Sequence, residues 1–287
     1  MTDAFVAPIC RDVVVATGPE TVTFLQGQLS QDIAAIAVGG SAWSLLLQPQ
    51  GKVDAWVRVH RAGEAEIRLD VDAGSGAEVV TRLERFKLRT RCELSLDPAV
   101  PTVAVRGTTI ARGLACGWPD VDGVDVVGAE PDDLDLDDGV LLYDDAAFEA
   151  ERIRCGVPRM GAEITPETIP AELGDWLVRS SVSFTKGCFT GQELVARIDS
   201  RGGNVPRHLR VFTSTDLPPA PGTEISVDGD GGDDDRGGKV VGRVTSAAIG
   251  AWGDVVGLAF IHRSQTPPFD ATAAGRSVHF SASRPEP

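Results

Sequence analysis

The chain has 287 residues and a mass of 30.2 kDa, which suffices for one large domain or for two or three small ones. Its 42 acidic and 27 basic residues give a formal net charge of −15. Such a charge repels phosphate backbones and anionic lipid surfaces, so we expect no direct contact with nucleic acid or membrane.

The cysteines and histidines do not form the clusters that metal sites require. Five cysteines are scattered without a CxxC pair, and the four histidines stand apart from one another. The sequence therefore predicts neither a metal site nor a disulfide framework. The N-terminal residues do not match a signal peptide, and no stretch reaches the roughly 18 apolar residues of a membrane span. We expect a reduced, soluble, cytoplasmic protein.

The N-terminal third alternates strand patterns with two helix patterns. A helix begins near Pro19 and carries Val22, Leu25 and Leu29 on one face, and a second helix is predicted over 77–88. Runs of β-branched or alternating apolar residues predict strands at 12–17, 43–48, 53–60, 66–71 and 90–96. Helices inserted between paired strands indicate an α+β architecture rather than a doubly wound sheet.

The middle of the chain predicts a turn region followed by a helix. Residues 118–138 are acidic and glycine-rich, and we interpret them as solvated turns. A short strand is expected at 141–143. Asp144 or Asp145 is then a suitable cap for a helix over 146–155, which Gly156 ends. Phe148 and Arg152 share a face of this helix.

The C-terminal region predicts a small all-β barrel or sandwich. Short strands separated by turns are expected at 209–213, 224–227, 239–247, 255–261 and 276–282. The acidic segment 228–238 has the composition of a calcium loop, but Lys239 occupies the twelfth position, where an EF-hand requires glutamate. We interpret the segment as an acidic loop, with a weak ion site as the alternative.

The segment from Val182 to Gly203 carries the most chemistry. Alternation at 182–184 predicts a strand, and 192–198 predicts a helix with Thr190 or Gly191 at its N-cap. Cys188 would then precede a helix N-terminus, where unpaired N–H groups and the nearby charge of Lys186 favour a thiolate. The alternative is a buried, unreactive cysteine.

Three neighbours of this cysteine have open roles. Gly187 allows the backbone to turn sharply before Cys188. Gln192 and Glu193 stand in the first helical turn, where they either cap the helix or face a ligand. An ordinary ion pair between Glu193 and Arg197, four residues later, is the simpler explanation of those two residues.

Several motifs together resemble one known family. The segment KGCFTGQE (186–193) is similar to the signature of the YgfZ family, K-G-C-Y-x-G-Q-E, with Phe189 in place of the usual tyrosine. Further motifs occur in family order, so that the resemblance covers nearly the whole chain: FLQGQLSQD, QPQGK, LERFKLRTRCEL, RIRCGVP, TIPAEL, GRVTSAA and VGLAFIHR.

This resemblance implies a GcvT-like folate-binding fold, related to the glycine-cleavage T-protein. Two ferredoxin-like α+β domains and a C-terminal β-barrel would be arranged around a central channel. We expect the folate-binding region over residues 1–205, with its second α+β subdomain roughly at 46–100. The barrel domain is expected over 206–287.

The resemblance also implies a function. It indicates an accessory protein of iron–sulfur cluster assembly or repair that binds tetrahydrofolate or another folate. Such a protein supports tRNA modification indirectly, through iron–sulfur clients such as radical tRNA-thiomethylating enzymes. The implied functional pair is Cys188 and Lys186, and the implied folate contacts are Phe148 and Arg11, which replaces an aromatic residue. The other implied motif residues are Gly187, Phe189, Gly191, Gln192 and Glu193.

Two rival functions stay open. A tetrahydrofolate-dependent aminomethyltransferase needs a carboxylate near the pterin nitrogen where the one-carbon unit forms. The matching stretch is 72–79, which puts Val79 in the position of that acid, or Glu78 if the register shifts by one residue. The T-protein also lacks a cysteine in the equivalent turn. The second rival is a scaffold that has lost folate binding, as the replacement by Arg11 suggests.

Overall fold

The computed structural model describes residues 4–108, 110–136, 139–228 and 238–282. The chain divides into two compact units. The sheet unit comprises Met1–Leu142, Arg159–Ala171 and Asp175–Asn204, and the barrel unit comprises Tyr143–Pro158, Glu172–Gly174 and Val205–Pro287. Most of the acidic segment that we compared with a calcium loop lies outside the described residues.

The sheet unit contains eight strands among its described residues. They are β1 (Phe5–Thr17), β2 (Ser41–Leu47), β3 (Val53–His60), β4 (Glu66–Asp72), β5 (Glu93–Arg106), β6 (Leu114–Ala115), β7 (Gly123–Val127) and β8 (Leu141–Leu142). Helices occur in both units. They are α1 (Thr21–Gln28), α2 (Gly76–Lys87), α3 (Asp145–Arg154), α4 (Asp175–Ser181) and α5 (Gln192–Asp199), of which α3 belongs to the barrel unit.

The eight strands form one continuous sheet, so the predicted α+β class is confirmed. Its order is β2-β3-β4-β1-β5-β7-β6, and β8 pairs with β1. The long β1 has β4 on one side and β5 on the other, and both pairings are antiparallel. Strand β1 therefore joins the two halves of the sheet.

The two faces of the sheet have different chemistry. On β4, Ile67, Leu69 and Val71 are fully buried in a hydrophobic cluster that includes residues of α1 and α2. The alternating residues Arg68 and Asp70 project from the opposite face, as the period of two in a strand requires. Burial of each large aliphatic side chain contributes about 1.5–3 kcal/mol, so the helix-covered face holds the main core of this unit.

The sheet curls so that its two ends approach each other. Arg58 on β3 donates to the backbone oxygens of Leu114 (3.3 Å) and Ala115 (3.1 Å) on β6. The same guanidinium lies 2.7 Å from a carboxylate oxygen of Asp125 on β7. Because β3 and β6–β7 stand near opposite ends of the strand order, Arg58 fixes the curvature.

A buried chain of ion pairs runs across the concave face. Asp70 accepts from Arg58 and from Arg11, and Asp125 lies 2.8 Å from Arg106. Burial opposes ionisation of Asp125, but the guanidinium groups of Arg106, Arg58 and Arg11 outweigh it and lower the pKa of Asp125 to about 2. The carboxylates therefore stay charged and link the strands.

The interpretation of 118–138 as solvated turns is wrong for β7. Gly123–Val127 pairs with β5, and Val126 and Asp125 are buried. Five residues with an aspartate at the centre give no clear alternation. The burial of that aspartate depends on arginines distant in sequence, which a local pattern does not reveal.

The barrel unit contains a closed six-stranded barrel, the first of the two predicted options. Its order is β10-β11-β12-β9-β14-β13. The strands are β9 (Arg207–Ser214), β10 (Glu224–Val227), β11 (Lys239–Ile249), β12 (Val255–His262), β13 (Phe269–Ala273) and β14 (Arg276–Phe280). The sequence prediction missed β13. Fully buried Phe212 and Phe280 fill the interior, and a side chain at Gly257 would lie 2.0 Å from the Phe212 ring.

Helix α3 is anchored to the barrel. Asp144 caps it by accepting from the backbone N–H of Ala147 (2.9 Å), as one of the predicted caps. Arg152 donates to Ser246 Oγ on β11 (3.2 Å), and Arg154 pairs with Asp254 beside β12.

No helix among the described residues is long and apolar enough to cross a bilayer.

Candidate functional site

The KGCFTGQE motif begins in an irregular segment, residues 182–191, which we call the thiol loop. The strand predicted at 182–184 is wrong, because α4 ends at Ser181 and residues 182–191 contain no strand. The N–H of Val182 continues the helical bonding to Val178 O (2.9 Å), and its side chain is buried, whereas Phe184 is 49% exposed. The apolar alternation reflects the end of a helix rather than a sheet.

Lys186 ties the thiol loop to the end of α1. Its ammonium group donates to three backbone oxygens, those of Gln26 (2.6 Å), Leu29 (2.7 Å) and Gln31 (2.8 Å). Carbonyls at a helix C-terminus have no partners within the helix and carry partial negative charge, so a cation is well placed there. All three donors of the ammonium are thereby used.

The surroundings of Lys186 shift its titration. Burial lowers the pKa of Lys186 to about 8, against the opposing effect of the Asp32 carboxylate. The amine also lies 5.2 Å from the centre of the Phe189 ring. The sequence suggested that Lys186 supplies charge to the thiol; its hydrogen bonds are all directed to main-chain oxygens.

The other side of the loop is braced as well. The N–H of Thr190 donates to Gly27 O (3.1 Å), and Gln192 Oε1 accepts from the N–H of Phe189 (3.2 Å). Gln192 therefore stabilises the turn before α5. Gly191, not Thr190, is the N-cap residue, and it makes no side-chain cap. Glu193 is exposed, and within the described ranges no ion pair joins it to Arg197.

Two glycines bring the thiol loop against the turn between β2 and β3. Gly191 has a φ of +81°, and a Cβ there would lie 2.5 Å from Gln48 O. Across the contact, Gly51 has a φ of +85°, and a Cβ there would lie 2.5 Å from the Cβ of Leu194. Real Cβ atoms do not tolerate these distances, so both motifs require glycine for this close approach.

Cys188 is at the surface between the two tethers. It is exposed, which contradicts the alternative of a buried, inert cysteine. Of the other free cysteines, Cys92, Cys116 and Cys155 are buried and Cys10 is exposed. Gly187, just before Cys188, has no atom near the position of a Cβ. Across the described ranges, no three His, Cys, Asp or Glu side chains form a metal-binding group.

The two expected folate contacts lie on different units. Phe148 is half-buried on α3 of the barrel unit. Arg11 is buried on β1 of the sheet unit, where its guanidinium donates to Asp70 (3.1 Å) and to Asp72. The sequence did not reveal the main-chain partners of Lys186, although FLQGQLSQD, the motif that supplies them, was visible.

Comparison with known proteins finds relatives over most of the chain. The chain is 27% identical over 67% of its length to the tRNA-modifying protein YgfZ of Photorhabdus laumondii, and 26% identical over 78% of its length to YgfZ of Vibrio vulnificus. It is 29% identical over 67% of its length to a mitochondrial iron-sulfur cluster assembly factor IBA57 homolog of Mycosarcoma maydis.

The matches cover only part of these relatives. They span 65% of the Photorhabdus protein, 74% of the Vibrio protein and 53% of the Mycosarcoma protein. No protein-family model matches the chain. Among solved structures, the aminomethyltransferase T of the glycine cleavage system from Bartonella henselae has the same fold. The TM-score is 0.74 at 17% identity, over 98% of this chain and 85% of that one.

Proposed function

We propose that this chain, which is similar to YgfZ proteins and has a GcvT-like fold, is an accessory factor in iron–sulfur cluster assembly or repair. It would support tRNA modification indirectly, through iron–sulfur enzymes. The observation that carries the proposal is the exposed Cys188 on a braced loop, in a chain whose relatives are named for these two processes.

The thiol loop suits such a role chemically. Thiolates are the usual protein ligands of iron–sulfur clusters, and an exposed thiol can approach a client protein. Lys186 and Gln192 restrain the backbone on both sides of Cys188, so the loop keeps its shape although the Cys188 side chain is exposed. The five free cysteines fit a reducing compartment, and we place the activity in the cytoplasm.

Tetrahydrofolate is the cofactor that we propose. Phe148 provides a half-buried aromatic ring that would pack on a flat pterin. The guanidinium of Arg11 is already paired with Asp70 and Asp72, so we expect it to position Asp72 rather than to hold the folate. When bound, the folate would supply a carrier for one-carbon units.

Calorimetry with tetrahydrofolate tests this proposal. We expect micromolar binding that Phe148→Ala weakens at least about tenfold, a loss of ~1.4 kcal/mol. Phe184→Ala, at an exposed position of the thiol loop, is the control and should bind like the parent chain. An absence of binding heat in the parent chain would favour the scaffold without folate.

The alternative is a tetrahydrofolate-dependent aminomethyltransferase. Val79, which stands where that reaction needs a carboxylate, is 2% exposed in the core beneath α2. Glu78 is exposed on the same helix. Burial of an aliphatic residue at this position favours the accessory role. Formation of methylene-tetrahydrofolate from an amine donor, abolished by Glu78→Gln, would instead establish the transferase.

Complementation tests the accessory function. A bacterial strain that lacks its own YgfZ would be supplied with the full chain. Its tRNA thiomethylation and the activity of an iron–sulfur enzyme would then be measured. We expect both to recover towards the level of the parent strain. Normal expression without recovery of either would contradict the proposal.

A further inference from the structure

A cavity of about 420 Å³ lies within the curl of the sheet. Its walls include Val13 on β1, Leu114 on β6 and Val126 on β7, and the backbone of Gly113 and Gly128 lines its edges. This volume is in the range of small-molecule pockets, which are mostly apolar with a few polar groups. The polar side chains at this cavity are Asp70, Asp125, His60, Arg68 and Asp97.

The cavity is separate from the thiol loop. No residue of 182–191 lines it among the described residues. On β4 the cavity borders Arg68 and Asp70 but not Asp72, which lies at the end of the strand. Asp72 instead accepts from Arg11 and from the N–H of Met160 (2.8 Å).

The buried charges beside the cavity cancel one another. Three guanidinium groups, those of Arg11, Arg58 and Arg106, are paired with three carboxylates, those of Asp70, Asp72 and Asp125. At the rim, Arg68 lies 2.7 Å from Glu66. A charged ligand would have to leave water for a site whose charges are already paired, which disfavours ions.

His60 offers an unused polar group. It is half-buried, it stands directly across from Arg68 on the neighbouring strand, and no group in the described ranges hydrogen-bonds to its ring. Burial, and then the charge of Arg68, lowers the pKa of His60 below its ordinary value of 6.5. The neutral imidazole therefore presents one N–H donor and one acceptor, and it can meet either a carbonyl or an N–H of a ligand.

Asp97 gives the rim its selectivity. It is exposed at the cavity, on β5 opposite Val13. A carboxylate accepts hydrogen bonds from a pair of sugar hydroxyls and repels phosphate. The combination of an apolar wall, a neutral imidazole and the carboxylate of Asp97 favours a ring with hydroxyl groups and no charge.

We propose that this cavity binds an uncharged nucleoside, with the base against His60 and the valine wall and the sugar towards Asp97. Neither the thiol loop nor Phe148 contributes a residue to the lining of this cavity. The nucleoside would be a second small-molecule ligand of the chain, and its concentration would regulate the protein.

The test is an NMR titration of the full isotope-labelled chain. The probes are uridine and inosine, and uridine 5′-monophosphate is the control that adds a charged phosphate to uridine. We expect the Val13 and Val126 methyl signals to shift with one or both nucleosides at a Kd on the order of 1 mM or below. The monophosphate should bind at least about tenfold more weakly than uridine. Because this measurement uses the parent chain, it does not depend on any variant folding.

Three substitutions identify the contacts. His60→Phe should weaken binding at least about tenfold, a loss of ~1.4 kcal/mol, whereas His279→Phe in the barrel unit should not change it. Asp97→Asn should reduce the difference in Kd between uridine and its monophosphate. The proposal is overturned if neither nucleoside shifts these methyl signals at about ten times the expected Kd, if the monophosphate binds more tightly than uridine, or if His60→Phe binds like the parent.

Discussion

At the scale of single residues, Lys186 and Cys188 have separable tasks. The lysine amine donates its hydrogen bonds to main-chain oxygens of residues 155 to 160 positions away, and the thiol is left exposed. Lys186 is therefore a positioning residue. Any effect of its removal on function would pass through the shape of the thiol loop.

Removal of the Lys186 amine should weaken folding in a way that depends on pH. Lys186→Met leaves three carbonyls without their donor, and we expect a loss of about 1–3 kcal/mol in the free energy of unfolding. In the parent chain the pKa of Lys186 is about 8 when folded and ordinarily 10.5. The unfolded chain thus binds more protons between these values, and the contribution of this group to stability rises as pH increases from 8 to 10.5.

Urea unfolding at pH 7.5 and at pH 10 measures both effects. The gap between the parent chain and Lys186→Met should widen at the higher pH. A gap that stays constant would show that folding leaves the pKa of Lys186 unchanged, and a gap that closes would show that folding raises it; either result would contradict the lowered pKa.

The two glycines of the motif should respond differently to a methyl group. Gly191→Ala places a Cβ 2.5 Å from Gln48 O in a left-handed conformation, and we expect a loss of about 2–4 kcal/mol. Gly187→Ala is the matched control, because its Cβ would enter open space. Equal urea midpoints for the two variants would contradict the close contact between the thiol loop and the β2–β3 turn.

At the scale of elements, the curled sheet depends on charges that the arginines hold in place. Asp125 contributes stability that is fully present above its ordinary pKa of 3.8 and is lost as pH falls towards about 2. Asp125→Asn leaves Arg58 and Arg106 without this partner, and we expect it to cost about 3–5 kcal/mol at pH 7.

The acid dependence of unfolding tests this element. The difference in stability between the parent chain and Asp125→Asn should shrink as pH falls from 4 to 2. Asp122→Asn, at an exposed position next to β7, should track the parent throughout. A difference that does not change with pH would mean that Asp125 has the same pKa in the folded and the unfolded chain, which would contradict its stabilisation by the arginines.

Local sequence patterns predicted most of the helices and strands. Strand β3 lies at the predicted residues 53–60, and the ends of α2 shifted by only one residue, because strong periodicity and a clear turn marked both. The main-chain hydrogen bonds of Lys186 were not predictable. They depend on carbonyls at the end of a helix more than 150 residues earlier, and no local pattern encodes that contact.

At the scale of the whole molecule, the net charge of −15 bears on the partner. Relatives are named for tRNA modification, but an acidic chain is repelled by RNA. We expect the purified chain to bind tRNA with a Kd weaker than about 10 µM at roughly 0.15 M salt. Fluorescence anisotropy with labelled tRNA measures this. Micromolar binding that weakens steeply with salt would contradict an indirect role.

The central claim is that the exposed thiol of Cys188 carries the function. Cys10 is the matched control, since it is the other exposed cysteine among those the structure describes. In a strain that lacks its own YgfZ, the Cys10→Ala chain should restore tRNA thiomethylation as well as the parent chain does. The Cys188→Ala chain, expressed at the same level, should leave it near the level of the empty strain. Equal restoration by both variants would contradict the claim.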